Sequence, residues 1–211
     1  MASTCYGSIS NGRLEEGRQL PERGANYEAY SQLGVKLGRT WLHSDVASAI
    51  IQAYAALEST APGKRFVYGE TGFARGGRIR PHRTHQRGTS VDFMVPVLDA
   101  AGKSVPLPSS LANKYGYATE FDAEGKAGGV RIDFEAMAEH LHKLSLAARQ
   151  NGSVIERVIF DPALMPRLFQ TARGKELERM LPFMKTKAWI RHDEHYHVDF
   201  AVGCKPISSS P

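Results

Sequence analysis

Residues 195–200, HYHVDF, alternate strictly between polar and apolar side chains. This two-residue period is typical of a β-strand with one polar face and one face packed into a core. On such a strand His195, His197 and Asp199 lie on the polar face, and the aromatic and aliphatic side chains between them lie on the other. The chain must therefore fold around a sheet whose polar surface carries two imidazoles and a carboxylate.

A second histidine-rich stretch, PHRTHQRGTSVDF at residues 81–93, leads into another run of strand-forming residues. The same period places Asp92 on the less apolar face of that strand. His85 precedes Asp92 across a turn that Gly88 permits. Two neutral imidazoles and one carboxylate suit Zn²⁺, and a catalytic zinc site uses three protein ligands. We therefore expect His85, Asp92 and His197 to bind zinc.

Two alternatives compete with a catalytic zinc site. An isolated surface histidine usually has no special role, and we expect none for His43, His140 and His142, which lie on or beside predicted helices. A structural zinc site is normally closed by four Cys or His ligands, whereas Cys5 and Cys204 lie outside both histidine clusters. For these cysteines, two free thiols and one disulfide both remain open.

Helical and strand patterns are mixed along the chain without regular alternation, which predicts an α+β fold with a small, mainly antiparallel sheet. Residues 1–40 lack a sustained period and are expected to form an extended wrap within a single domain of residues 1–211. Long irregular loops are expected at 72–88 and 99–131, and loops of this length are usually functional. The predicted helices are 44–60, 133–150 and 161–181, the last broken at Gly174, and the predicted strands are 65–70, 90–97, 154–161, 188–190 and 195–200.

The formal charge of +5 favours an anionic partner. The chain has no block of five or more Lys or Arg residues and no aromatic residues interleaved with a basic stripe, which disfavours nucleic acid. No apolar run is long enough for a transmembrane helix, so we expect no membrane span. The first residues also lack the apolar core of a signal peptide.

The two histidine clusters resemble the metal motifs of a known family. The pattern His-x-x-Gly-x-x-x-Asp, here His85 to Asp92, followed far downstream by His-x-His, here His195 to His197, is similar to that of the LAS group of zinc peptidases. Within this group, the chain most resembles the penicillin-insensitive murein endopeptidases. Residues 99–131 carry no motif of that family. The further similar positions are Gly76, Gly77, Arg78, His82, Gln86, Val91 and His192, a cysteine after the tail motif, and Gln19-Leu20-Pro21.

The resemblance implies a LAS-type α+β fold, in which a small antiparallel sheet is flanked by helices, and zinc bound by His85, Asp92 and His197. It also implies that zinc activates a water for attack on a peptide carbonyl. The base that takes the water's proton would be His195 or Glu194. Strand alternation favours His195, because Glu194 faces the site only if the strand begins after it.

The resemblance also implies a substrate, which is the peptide stems of peptidoglycan with cross-links of the D-Ala–meso-diaminopimelate type. His82 and His192 would lie beside the metal, as substrate contacts or supporting groups. Because bacterial wall lies outside the cytoplasm, the protein would be periplasmic or secreted, and a disulfide between Cys5 and Cys204 becomes the favoured state. The arginines of the long loop that would bind substrate carboxylates are Arg78, Arg80, Arg83 and Arg87.

Other functions remain to be weighed. A zinc D,D-carboxypeptidase or dipeptidase would use the same ligands, and the long loops favour a polymeric substrate only mildly. A catalytically inactive module that binds the wall is disfavoured by His195 and Glu194, because a pure binder needs no base beside its metal. A nucleic-acid binder is the least favoured alternative.

Overall fold

The computed structural model describes residues 2–186, 188 and 190–207. These residues form several small sheets and flanking helices, which confirms the predicted α+β class. The helices are α1 (Gln32–Lys36), α2 (Ser44–Thr60), α3 (Phe134–Gln150), α4 (Met165–Phe169) and α5 (Gly174–Met180), with a 3₁₀ turn at Lys114–Gly116. The strands are β1 (Thr4–Ser8), β2 (Asn11–Glu15), β3 (Arg18–Gln19), β4 (Tyr27–Ala29), β5 (Trp41–Leu42), β6 (Phe66–Tyr68), β7 (Ser90–Met94), β8 (Val97–Leu98), β9 (Ser104–Val105), β10 (Lys126–Ala127), β11 (Val130–Ile132), β12 (Val154–Ile159) and β13 (His195–Ala201).

The central sheet has five strands in the order β12-β13-β7-β6-β4. Its pairs are antiparallel except for β4 with β6, which run parallel. The strand β13 lies between β12 and β7, so both of its edges are hydrogen-bonded. The expectation of a mainly antiparallel sheet is therefore confirmed.

The pairing of β13 with β7 brings the two histidine clusters together. His197 lies opposite Asp92, and Tyr196 lies opposite Phe93. Residues directly opposite each other in an antiparallel pair are about 4.5–5.5 Å apart at Cα, so side chains on the same face touch. His197 and Asp92 thus become neighbours although 105 positions separate them along the chain.

The other face of β13 belongs to the hydrophobic core. Tyr196, Val198 and Phe200 are almost fully buried, in the same cluster as the apolar faces of α2 and α3. Burial of each such side chain contributes about 1.5–3 kcal/mol to folding. The helix α2 begins after His43, whose side chain accepts a hydrogen bond from Asp45 N. This core fixes the position of the sheet, whose opposite face carries Asp92 and His197.

The N-terminal segment is mostly extended. β1 and β2 form a hairpin, β3 pairs with β5, and β4 joins the central sheet. The segment also contains the short helix α1, which no hydrophobic period indicated. Its N-cap is Ser31, whose hydroxyl accepts a hydrogen bond from Gly34 N at 3.2 Å. The helix α1 forms part of one wall of the cleft described below.

The strand predicted at 90–97 is two strands. Pro96 lacks an N–H group, so the ladder of β7 cannot continue through it. Beyond the proline the chain enters a second, four-stranded sheet with the order β10-β11-β8-β9. The prediction was therefore correct for β7 and wrong about its length.

The helical stretch predicted at 161–181 is also two elements, α4 and α5. The break precedes Gly174, which begins α5 instead of interrupting a helix. A Cβ at this position would lie 2.3 Å from the carbonyl of Phe169, so the close turn between the helices requires glycine. The strand predicted at 188–190 includes Trp189, which lies outside the described residues, and neither Ala188 nor Ile190 is in a strand.

A disulfide joins Cys5 of β1 to Cys204, just beyond β13, as the family resemblance implied. The last residues of the predicted domain, 208–211, lie outside the described part of the chain. Among the helices that the structure describes, none is long and apolar enough to cross a membrane.

Candidate metal centre and active site

Histidines and carboxylates form a polar cluster on one face of the central sheet, and the fully buried carboxylate of Asp92 lies at its centre. Its Oδ1 lies 2.8 Å from Nδ1 of His197 and 3.3 Å from Nε2 of His85. Its Oδ2 lies 3.0 Å from the hydroxyl of Tyr117 and 3.7 Å from Nδ1 of His82. Burial alone would raise the pKa of Asp92, but the surrounding imidazoles hold that pKa well below its usual value. Asp92 is therefore an anion at neutral pH.

His85 directs an unprotonated nitrogen at Asp92. Its Nδ1 lies 3.0 Å from the carbonyl oxygen of Thr71, and because a carbonyl only accepts, Nδ1 carries the proton. Burial lowers the pKa of His85, which favours the neutral ring, in which Nε2 carries a lone pair. That buried Nε2 has no hydrogen-bond partner among the described residues, and it faces a second acceptor, Asp92 Oδ1. Two acceptors this close repel each other, and a metal ion bound by both would remove that repulsion.

The backbone of His85 is held in a rare conformation. Its φ of 71° lies in the left-handed region, which non-glycine residues seldom adopt. Gly88 follows with a φ of 75°, so the turn that the sequence predicted at this glycine is present. Strained residues of this kind cost about 1–3 kcal/mol each and cluster at functional sites.

One oxygen or nitrogen from each of His82, His85 and Asp92 lies within 4.8 Å of the others, and this group could hold a metal ion. Nε2 of His82 lies 2.6 Å from Oε2 of Glu70, which leaves Nδ1 facing Asp92. Burial would raise the pKa of Glu70, but His82 and Arg39 lower it to about 2. Glu70 is thus an ionised partner that fixes the ring of His82.

His197 lies outside that group but has the shortest contact with Asp92 among the histidines. Its other nitrogen, Nε2, lies 2.9 Å from Oδ1 of Asp199. Asp199 in turn accepts hydrogen bonds from Arg157 at 2.6 Å and Ser90 at 2.6 Å. Burial would lower the pKa of His197, but the carboxylates of Asp199 and Asp92 raise it to about 10. A histidine held by a second carboxylate in this way is typical of metal ligands.

His195 and Glu194 form a buried pair at the start of β13. Because the strand begins at His195, Glu194 is free of the strand's alternation, and its side chain lines the cleft. Oε1 of Glu194 lies 2.8 Å from Nδ1 of His195. Nε2 of His195 lies 3.9 Å from Oδ1 of Asp92. Burial would lower the pKa of His195, but the carboxylates of Asp92 and Glu194 raise it overall.

His192 packs beside His195, with ring centres 4.6 Å apart. Its Nδ1 donates a hydrogen bond to the carbonyl of Ile190 at 2.8 Å. Burial lowers the pKa of His192 to about 4, so the ring is neutral at pH 7. The predicted residues His82, His85, Asp92, His192, Glu194, His195 and His197 are therefore all in one place.

The cluster opens into a cleft of about 790 Å³. The exposed side chain of Arg83 lines its wall, whereas Arg78 is exposed elsewhere and does not. Arg87 does not face the cleft either, because its guanidinium donates hydrogen bonds to Gly7 O and Thr89 Oγ1 and fastens the loop to β1. The other residues of the cleft wall include Leu33, Leu37, Arg80, Lys114 and Tyr115.

The family model of penicillin-insensitive murein endopeptidase matches residues 5–209, which is nearly the whole chain. The chain belongs to this family. No curated protein matches the chain. The family resemblance inferred from the two histidine motifs is thus confirmed.

Several residues that contact the cluster around Asp92 could not be identified from the motifs. Asp199 shares the polar face of β13, so its alternation with His197 was the available signal. Glu70 follows β6 and gave no signal beyond its charge. Tyr117 comes from the stretch 99–131, where the sequence shows no family motif, and only the fold brings it to Asp92.

Proposed function

We propose that this murein endopeptidase family member is a zinc enzyme that hydrolyses peptide cross-links of the D-Ala–meso-diaminopimelate type in bacterial peptidoglycan. The observation that carries the proposal is the contact between Nε2 of His85 and Oδ1 of Asp92. The buried Nε2 has no hydrogen-bond partner among the described residues and faces a carboxylate oxygen at 3.3 Å, an arrangement that a bound cation would stabilise. Imidazole nitrogen and carboxylate oxygen are donors that suit zinc.

The proposed zinc ligands are His85, Asp92 and His197. His82 is also close, but its contact with Asp92 is 3.7 Å, against 2.8 Å for His197. The side chain of His82 is also the more exposed of the two, at 17% against 4%. These differences favour His197 as a ligand and leave His82 available to contact the substrate.

When bound, zinc would supply Lewis acidity, which lowers the pKa of a coordinated water and polarises a carbonyl. His195 is proposed to take the proton of the attacking water through Nε2 and to deliver it to the leaving amine. Glu194 is proposed to hold the ring by accepting from Nδ1, which is why we assign the proton transfer to His195 rather than to Glu194. Neutral His192 would pack against the base and face the substrate.

The stems of peptidoglycan carry carboxylates, and the cleft wall offers cations to meet them. Arg83 is the proposed contact close to the scissile bond, because it lines the cleft. Arg78, which lies outside the cleft wall, would reach only parts of the polymer that extend beyond it. A wall substrate places the enzyme in the periplasm or outside the cell, and the disulfide fits such an oxidising compartment. Residues 1–211 are proposed to act as a single zinc peptidase domain.

The test is digestion of purified cross-linked muropeptide dimers, followed by mass spectrometry. The proposal predicts conversion of dimers to monomers, loss of that conversion on treatment with a chelator, and its return with Zn²⁺. Release of free D-Ala from intact dimers would instead identify a carboxypeptidase. Binding to cell wall without any cleavage would identify an inactive binding module.

A further inference from the structure

Tyr117 is the partner of Asp92 that no sequence motif marks. It lies in the excursion between β9 and β10 and lines the cleft. Its hydroxyl lies 3.0 Å from Oδ2 of Asp92 and 2.9 Å from the backbone N–H of Glu70. Its ring packs edge-on against His195, with ring centres 5.2 Å apart.

The direction of these two hydrogen bonds can be deduced. The backbone N–H of Glu70 can only donate, so it takes up one lone pair of the hydroxyl. The single phenolic proton is then available for the other neighbour, Oδ2 of Asp92, which as a carboxylate only accepts. Tyr117 therefore donates to Oδ2, while Oδ1 of the same carboxylate faces His85 and His197.

The chain makes room for this contact. Gly69 lies beside the hydroxyl, and a Cβ there would lie 2.5 Å from the phenolic oxygen. The 3₁₀ turn that leads to Tyr117 contains left-handed residues, with φ of 51° at Lys114 and 59° at Tyr115. Such conformations cost free energy and persist where the surrounding structure requires them.

The stretch is fastened on the far side of Tyr117 as well. Arg191 donates to the carbonyl of Phe121 at 2.7 Å, and the backbone N–H of Phe121 donates to Asp193. Arg191 and Asp193 belong to the segment that leads into β13, which carries His195 and His197. The loop and the strand are thus linked, and these contacts hold the phenol beside Asp92.

We propose that Tyr117 is a positioning residue that holds Oδ2 of Asp92 away from the metal, so that Oδ1 alone binds it. This inference rests on the proposed zinc site. A carboxylate bound through one oxygen leaves room at the metal for water and substrate, whereas a chelating carboxylate occupies a further position. Partners of this kind usually change metal affinity by about 10–100-fold when they are removed.

The first test is Tyr117→Phe, which removes one oxygen atom and keeps the ring. The expected result is a dissociation constant for Zn²⁺ raised by about 10–100-fold, measured by competition with a chromophoric chelator. The matched control is Tyr115→Phe, in the same turn, whose expected change is less than about twofold; Tyr115 contacts the ring of Tyr30 and not Asp92. Equal Zn²⁺ affinity for wild type and Tyr117→Phe would overturn the proposal, as would equal weakening by both variants.

A second measurement needs no variant. X-ray absorption spectroscopy of the zinc-loaded wild-type protein distinguishes a carboxylate bound through one oxygen from a chelating one by the distance from zinc to the carboxyl carbon. The proposal predicts one-oxygen binding, and chelation by both oxygens would overturn it. If the wild-type protein neither binds zinc nor cleaves dimers, the proposed function itself fails. If it does both while Tyr117→Phe binds zinc normally, only the role of Tyr117 fails.

Discussion

His140 and His197 lie on opposite sides of the same strand, and both are buried. His140, on α3, stacks on Tyr54 with ring centres 5.1 Å apart, and its Nδ1 lies 2.5 Å from the hydroxyl of Tyr196. His197 follows Tyr196 along β13, and its ring lies between the carboxylates of Asp92 and Asp199. Burial lowers the pKa of His140 to about 3, whereas the two carboxylates raise that of His197 to about 10.

The comparison shows that burial alone does not make a histidine a metal ligand. Both rings are shielded from water, but only His197 contacts anions, which orient the ring and offset the free-energy cost of desolvation. His140 is a neutral ring that fills the aromatic core. We expected no special role for His140, and its position in the core explains why a histidine on a helix can be buried without contributing to a site.

The strongest test of this difference is Asp92→Asn. The substitution removes the charge that lies within 4 Å of His82, His85, His195 and His197 but keeps the shape of the side chain. We expect zinc binding and dimer cleavage to fall by about a thousandfold or more, because a neutral amide is a poor ligand. Zinc content and cleavage rate measure the two effects. The control, Asp45→Asn at the start of α2, should leave both unchanged. Retained zinc in Asp92→Asn would show that the carboxylate is not needed to bind the metal.

A smaller effect is expected for Asp199→Asn. Asp199 does not face the proposed zinc directly but holds Nε2 of His197, so we expect the dissociation constant for zinc to rise by about 10–100-fold. Competition with a chelator measures it. Asp133→Asn is the control, since it weakens an ion pair with Lys64 at the cap of α3, outside the cluster, while Asn still caps the helix. Zinc affinity that drops equally in both variants would indicate a general structural effect.

His140→Phe should lower the stability of the fold without affecting zinc binding. Zinc affinity and cleavage should stay at the wild-type level, while the free energy of unfolding should fall by about 1–3 kcal/mol, because the hydroxyl of Tyr196 loses its buried partner. Denaturant unfolding of the metal-free protein measures this. The double variant His140→Phe with Tyr196→Phe should recover part of the loss, since both polar groups are then absent. A loss of zinc in His140→Phe would show that the two faces are coupled.

The smallest effect is a pH dependence. The pKa of His140 is about 3 in the folded protein and 6.5 as its ordinary value, so the unfolded state binds more protons between these limits. Stability due to this group is therefore complete above pH 6.5 and is lost as the pH falls. Between pH 6 and pH 5 the metal-free wild type should lose about 1 kcal/mol more than His140→Phe. Parallel pH curves for the two proteins would contradict the assignment of a neutral core histidine.

Much of the site could be predicted because its signals are local. The alternation in HYHVDF places His195, His197 and Asp199 on one face of a strand whatever surrounds it. The register that sets His197 opposite Asp92 is different, since it depends on the whole sheet and not on any nearby sequence. The motif resemblance supplied that pairing, and strand patterns alone could not.

The parts that sequence patterns missed depend on long-range contacts. Tyr117 reaches Asp92 from an irregular segment, where no periodicity indicates which way a side chain points. The sequence predicted that Arg87 binds substrate, whereas its guanidinium is bound to the N-terminal hairpin. An arginine that faces solvent and an arginine that holds another segment of the chain give the same sequence signal. The length of β7 was overestimated although Pro96 is a local signal for the end of a strand, and only the entry of the following residues into a second sheet depends on the fold.

We propose that the cluster around Asp92 binds zinc on the polar face of the sheet. Anomalous diffraction from crystals of the zinc-loaded protein, recorded on both sides of the zinc absorption edge, would locate the metal. We expect one strong peak in contact with Nε2 of His85, Oδ1 of Asp92 and Nδ1 of His197. A peak bound to other residues, or no peak at this cluster in crystals of active enzyme, would contradict it.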